Sequence, residues 1–142
     1  MILPDVNVLL YAFRADSDNH ARYRRWLHDA IAADEPYGMS PQALASLVRI
    51  CTNPRIFRKP TPLSEALAFA STLLKQSNCY AVTPGTRHWS IFERLCTRVG
   101  ARGNLVQDAW FAALAIESGS EWITTDRDYA QFEGLRWRRP LD

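Results

Sequence analysis

Short apolar segments alternate along this chain with longer segments that have the period of an α-helix. This alternation is typical of an α/β fold, in which helices cover a mostly parallel sheet of buried strands. Ligands of such sheets bind beyond the carboxyl ends of the strands, so reactive residues at those ends are candidates for a site. The predicted strands cover residues 1–4, 37–39, 80–82, 122–124 and 135–138.

Helical periodicity and end signals together predict five longer helices. Ser40 and Pro41 provide an N-cap and a first helical position, and Thr61 and Pro62 repeat this pair. Asn104 is the predicted N-cap of the last long helix, which Gly119 ends. The predicted helices cover residues 19–33, 41–52, 62–75, 88–99 and 105–118, with a loop over 53–62 and a helical turn over 126–132.

The composition is that of one ordinary globular domain, which we expect to span residues 1–142. The net charge of +2 argues against a bulk nucleic-acid coat protein. Cys51, Cys79 and Cys96 have no zinc-ligand spacing, which indicates reduced thiols and a cytoplasmic protein. No apolar run is long enough to span a membrane, and the first residues lack the features of a signal peptide.

Acidic side chains follow two of the predicted strands. Asp5 comes directly after the first strand, and Asp126 and Asp128 follow the strand at 122–124. Asp108 is expected in the first turn of the helix from Leu105, on a face of small residues that would let the helix approach the sheet. Each acid could instead be structural, since Asp5 and Asp126 are also plausible helix caps. Together, however, they map to one end of the sheet.

Such a cluster needs protonation or a bound cation to persist. Two carboxylates about 5 Å apart repel by roughly 3 kcal/mol at an effective dielectric constant near 20. Three such pairs approach about 10 kcal/mol, which is comparable to the whole stability of a domain. Oxygen ligands without His or Cys favour Mg²⁺, with Mn²⁺ as a substitute. Carboxylate-held Mg²⁺ is suited to phosphodiester hydrolysis.

Four motifs in order resemble the PIN domain, and more narrowly the toxin half of VapBC-type toxin–antitoxin pairs. They are residues 5–10 (DVNVLL), Ser40-Pro41 with 49–55 (RICTNPR), 103–109 (GNLVQDA) and 124–129 (TTDRDY). The resemblance implies a PIN-like three-layer sandwich with a central sheet of four or five short strands. It also implies a Mg²⁺-dependent endoribonuclease that is usually a homodimer and is silenced by a small cognate antitoxin.

The resemblance assigns roles to particular residues. Asp5, Asp108 and Asp126 take the metal-ligand and catalytic positions. The resemblance also places supporting polar residues at Asp128 and Asn7, and Asn104 is a further candidate for a supporting residue. Arg49 and Arg102 are candidates for contact with RNA phosphates.

One position departs from the family pattern. The family commonly has a Glu on the helix after the second strand, and alignment puts Ser46 in that place. Gln42 lies one turn earlier on the same face, and no Asp or Glu occurs between Pro36 and Ser64. Ser46 or Gln42 could orient water at the metal, but neither supplies charge. We therefore expect a weaker metal site.

Two alternatives to the nuclease remain open from the sequence. The missing Glu is compatible with a catalytically weak PIN-like domain that binds RNA or a protein. A Mg²⁺-dependent phosphatase on a similar sheet would need an Asp-x-Asp pair after the first strand, whereas Asp5 is followed two residues later by Asn7. The identity of the RNA substrate does not follow from the sequence.

Overall fold

The computed structural model describes residues 1–142 as an α/β fold in which short strands alternate with longer helices. The strands are β1 (Ile2–Pro4), β2 (Tyr37–Met39), β3 (Cys79–Ala81), β4 (Glu121–Ile123) and β5 (Trp137–Arg138). The helices are α1 (Val6–Phe13), α2 (His20–Ala32), α3 (Pro41–Cys51), α4 (Leu63–Leu74), α5 (His88–Val99) and α6 (Asn104–Ser118). A 3₁₀ helix, Arg127–Gln131, follows β4.

All the strand pairs are parallel, as predicted. Hydrogen bonds divide the five strands into two groups, with the orders β1-β4-β5 and β2-β3. Strand β2 lies between β1 and β3, and the space around Gly38 is narrow on both sides. A Cβ on Gly38 would stand 2.8 Å from Val82 Cγ2, 3.3 Å from Leu3 Cδ1 and 3.4 Å from the Ile2 carbonyl oxygen. The shortest of these contacts is with Val82, which directly follows β3, so glycine is required chiefly for the packing of β2 against the end of β3.

Apolar side chains cover both faces of the strands, which accounts for strands that read as continuous apolar runs. Trp122 on β4 points into a core formed mainly with α5 and α6, and its neighbour Ile123 points into a second core formed mainly with α1 to α4. This confirms the three-layer α/β arrangement. No helix combines the length and the hydropathy that crossing a membrane requires.

Some predicted element bounds are wrong. Helix α6 begins at Asn104, so Gly103 and not Asn104 is its N-cap, and Asp108 lies in the second turn instead of the first. Gly103 has φ 60° and ψ −133°, a conformation that favours glycine over Asn. Helix α4 begins at Leu63, and Pro62 replaces Thr61 at the cap. Helix α1 has no counterpart among the predicted helices.

The loop over residues 53–62 is held by a buried arginine, Arg14, which is 8% exposed. The Arg14 guanidinium donates two hydrogen bonds to Asp16, of 2.9 and 2.7 Å, and further bonds to Thr61 Oγ1 at 3.0 Å and the Lys59 carbonyl at 3.1 Å. It also lies 3.6 Å from the centre of the Phe57 ring. Arg14 therefore anchors the second half of this loop, from Phe57 to Thr61.

Candidate functional site

The parallel pairing of β1 with β4 places two motif residues next to each other. Pro4 pairs with Ile123, and the Asp5 amide donates a hydrogen bond of 2.8 Å to the Ile123 carbonyl. Asp5 and Thr124 are the next residues along their strands, so they emerge together at the carboxyl edge. This is the edge at which open α/β sheets bind their ligands.

Asp5 is a buried carboxylate whose two oxygens have different partners. Oδ1 accepts a 2.6 Å hydrogen bond from the Val6 amide, so Asp5 is the N-cap of α1. Oδ2 accepts hydrogen bonds from Thr124 Oγ1 at 2.6 Å and from Asn7 Nδ2 at 3.3 Å. Asp5 therefore has the predicted cap function while its other oxygen belongs to the candidate site.

The pKa of Asp5 is raised from 3.8 to about 6, mainly by burial, and the nearby carboxylates of Asp108 and Asp126 contribute in the same direction. The hydrogen bonds from Thr124 and Val6 act in the opposite direction but do not cancel the effect of burial. Without a bound cation, the protein therefore stabilises the negative charge of Asp5 less well than water does.

Asp108 lies on α6, in the helical layer on the other side of the strands from α1. The Tyr129 hydroxyl donates a hydrogen bond of 3.3 Å to Asp108 Oδ1. Burial raises the pKa of the half-buried Asp108 carboxyl, and the charges of Asp126 and Asp128 raise it further. Ala112 and Ala115, one and two turns further along α6, are fully buried, as the predicted small-residue face requires.

Asp126 and Asp128 come from the turn that follows β4. Asp126 is the N-cap of the 3₁₀ helix, and its Oδ1 accepts a 2.9 Å hydrogen bond from the Asp128 amide. The Asp126 amide in turn donates to Thr124 Oγ1 at 3.1 Å. The Thr124 hydroxyl therefore links the two strand-end acids, because it donates to Asp5 and accepts from the Asp126 backbone.

The donor set at this edge fits a hard divalent cation. It consists of carboxylate and hydroxyl oxygens, and no Lys or Arg forms an ion pair with Asp5, Asp108 or Asp126. The raised pKa values of Asp5 and Asp108 indicate negative charge that a cation would compensate. No three acidic, His or Cys side chains form a group that could hold a metal ion as they stand. The residue types therefore fit a cation, while the present side-chain positions do not form a closed ligand cage.

The remaining predicted site residues lie outside this hydrogen-bond network, except for Asn7. Asn7 Oδ1 accepts a 3.4 Å hydrogen bond from the Thr125 amide. Ser46 is half-buried on α3, where Gln42 and Arg49 are exposed, and none of these side chains bonds to the acids. Two further predicted residues, Asn104 and Arg102, are exposed at or just before the start of α6.

Two residues that contact the acids were absent from the predicted site. Thr124 and Tyr129 bond to Asp5 and Asp108 respectively, and both are almost completely buried. Their signal in the sequence was the motif TTDRDY, which contains both of them. Which acid each of these two side chains contacts is decided by the tertiary structure.

Comparison with known proteins identifies the class to which this fold and site belong. The model of the PIN domain matches residues 2–135. The chain belongs to the PIN-domain family.

Within this family, the chain is similar over its whole length to proteins named VapC ribonucleases. Ribonuclease VapC43 of Mycobacterium tuberculosis is 43% identical over 142 residues, which are 100% of this chain and 97% of that relative. Ribonuclease VapC25 of the same organism is 39% identical over 140 residues, with 99% of each chain covered.

Solved structures show the same fold at low sequence identity. VapBC-1 from nontypeable Haemophilus influenzae matches with a TM-score of 0.69 and 17% identity, and all of both chains is covered. Mycobacterium tuberculosis VapC20, described as a sarcin-ricin loop cleaving toxin, matches with a TM-score of 0.64 and 18% identity, covering 96% of this chain and 99% of that one.

Proposed function

We propose that this chain is the toxin of a type II toxin–antitoxin pair and acts as a Mg²⁺-dependent endoribonuclease. The observation that carries the proposal is the position of Asp5 and Asp126 at the carboxyl ends of β1 and β4, where the charges of Asp108 and Asp126 help to raise the pKa of Asp5. Full-length relatives named VapC ribonucleases support RNA as the substrate class.

In this mechanism, Asp5, Asp108 and Asp126 would hold Mg²⁺, which supplies Lewis-acid stabilisation of phosphate charge and activation of a water nucleophile. Thr124 fixes the Asp5 carboxylate through its 2.6 Å hydrogen bond, and Tyr129 orients Asp108. Both act as positioning residues, because a carboxylate held by a neighbour loses less freedom when it binds. Asp128 and Ser46 would orient water at the edge of the site.

We also propose the partners that this class of protein implies. A small cognate antitoxin would silence the nuclease, as the VapBC complexes among the structural neighbours suggest. The active form would be a homodimer acting on RNA in the cytoplasm.

The test is cleavage of total cellular RNA by the purified chain with Mg²⁺, with Mn²⁺ and with EDTA. The expected result is a set of discrete fragments that require a divalent cation and are absent with Asp108→Asn. The matched control is Asp34→Asn, because Asp34 is exposed in the turn between α2 and β2 and should leave cleavage unchanged. Full cleavage by Asp108→Asn would refute the assigned site, and cleavage in EDTA would refute the metal requirement.

A second candidate function is a catalytically weak PIN domain that binds RNA or a protein. The observation that favours it is α3, which carries Ser46 in place of the family Glu and has no acidic residue. RNA binding by the wild-type chain without any metal-dependent cleavage would favour this candidate over the nuclease.

A further inference from the structure

A cavity of about 490 Å³ opens at the outer edge of β5 and is lined by three arginines. Arg127, Arg138 and Arg139 contribute to its wall, together with the carboxylate of Asp142. We call this cavity the arginine pocket. Its lining has more positive than negative side chains.

The register of the strands places the arginine pocket beside the candidate site. Ile123 on β4 pairs with Pro4 on one side and with Arg138 on the other. The residues that follow these three are Asp5, Thr124 and Arg139, so Arg139 emerges at the same edge as Asp5, about 10 Å away at two strand spacings. Arg127 directly follows Asp126 in the 3₁₀ helix.

The charges of the arginines are only partly compensated within the protein. Arg127 forms no ion pair, and Arg138 Nε pairs with Glu121 at 2.9 Å. Arg139 Nε is buried without a hydrogen bond, although Asp142 Oδ2 lies 3.5 Å away. The Arg139 side chain as a whole is 34% exposed, and guanidinium groups pair readily with anionic oxygens.

We propose that the arginine pocket binds a backbone phosphate of the RNA strand, next to the phosphate at the carboxylates. This inference rests on the proposed function, because the RNA strand is taken to run from the arginine pocket to the carboxylates. The physical reason is that Asp5, Asp108 and Asp126 repel a polyanion, so an approaching strand needs cationic contacts close to them. Guanidinium groups bind phosphate oxygens in a bidentate geometry. RNA is favoured over an acidic protein because Arg127 directly follows Asp126 and Arg139 emerges beside Thr124 and Asp5 at the carboxyl ends of the strands.

The experiment measures binding of a fluorescein-labelled, single-stranded RNA by anisotropy in EDTA, where metal-dependent cleavage does not interfere. Arg127→Gln should weaken binding about 3- to 10-fold and reduce the slope of log K against log salt by about 0.7, the value for one phosphate contact on a single strand. Asp142→Asn should strengthen binding, because it removes the negative charge facing Arg139. Arg94→Gln is the matched control, since Arg94 is exposed on α5 and forms no ion pair.

Three results would overturn the inference: no binding of RNA by the wild-type chain, unchanged binding by Arg127→Gln and Asp142→Asn, or an equal loss with Arg94→Gln. A glutamate-rich peptide provides the second probe. If Arg127→Gln weakens binding of this peptide but not of RNA, the pocket accepts protein carboxylates and the inference is wrong.

The proposed nuclease activity is tested separately by wild-type cleavage with Mg²⁺. Cleavage together with unchanged RNA binding by Arg127→Gln refutes the arginine pocket alone. Absence of cleavage together with arginine-dependent RNA binding refutes the activity and supports the pocket as an RNA contact.

Discussion

Replacing Asp5 by Asn should remove RNA cleavage and, in the metal-free protein, increase the free energy of unfolding. Asp5 is 6% exposed, and burial is the main cause of its raised pKa. Asn retains an oxygen that can accept from the Val6 amide, and Asn and Asp are equally good N-caps. The substitution therefore removes a buried negative charge while keeping the start of α1.

The magnitude follows from the pKa change. A rise from 3.8 to about 6 corresponds to about 3 kcal/mol, at about 1.4 kcal/mol for each pKa unit. Between these two values the folded state binds more protons than the unfolded state, so the stability of the wild type falls as the pH rises through this interval. The penalty is complete above about pH 6 and absent below about pH 4. The Asn side-chain NH2 would replace the oxygen that accepts from Thr124 and Asn7, and losing these hydrogen bonds subtracts about 1–2 kcal/mol, which leaves a gain of about 1–2 kcal/mol at pH 7.

The assay is urea unfolding in EDTA at pH 7 and at pH 4. Asp5→Asn should have the higher midpoint at pH 7, and this advantage should disappear at pH 4. Asp34→Asn is the matched control and should change the free energy of unfolding by less than about 0.5 kcal/mol. Added Mg²⁺ should raise the midpoint of the wild type more than that of the variant. A variant less stable than the wild type at pH 7, or a difference independent of pH, would refute the reasoning.

Three further substitutions have definite expected outcomes. Gly38→Ala should lower the free energy of unfolding by about 1–3 kcal/mol, because its Cβ would meet Val82 at 2.8 Å; an unchanged urea midpoint would contradict this tight packing of Gly38 against Val82. Arg14→Ala should destabilise by about 2–4 kcal/mol and speed tryptic cleavage within residues 53–62, measured by mass spectrometry of timed digests, since the loop loses its buried anchor. Ser46→Glu should lower the Mg²⁺ concentration for half-maximal RNA cleavage, as measured by metal titration, because it adds a carboxylate at the family position; Ala45→Glu, on an exposed face, is its control.

The periodicity of the sequence predicts many of the helices and strands of the fold. Apolar runs such as Tyr37–Met39 and amphipathic runs such as His88–Val99 were predicted with the same bounds that the structure has. The prediction of Asn104 as the N-cap of α6 was wrong: Asn is usually the better N-cap, but the backbone at the true cap, Gly103, adopts a conformation that favours glycine. Helix α1 lacked a clear periodic signal because it is short and mostly apolar.

The sequence by itself determined which residue types could form a site. Local order along the chain fixes which residue follows each strand and so pointed to Asp5 and Asp126, and the motif GNLVQDA pointed to Asp108. The tertiary structure alone decided which side chains stabilise those acids. Thr124 reaches Asp5 across 119 residues, and Tyr129 reaches Asp108 across 21. The arginine pocket also depends on tertiary structure, because the strand register places Arg139 at the same carboxyl edge as Asp5. Contacts between distant parts of the chain depend on packing and register, and these arise only when all the elements have assembled.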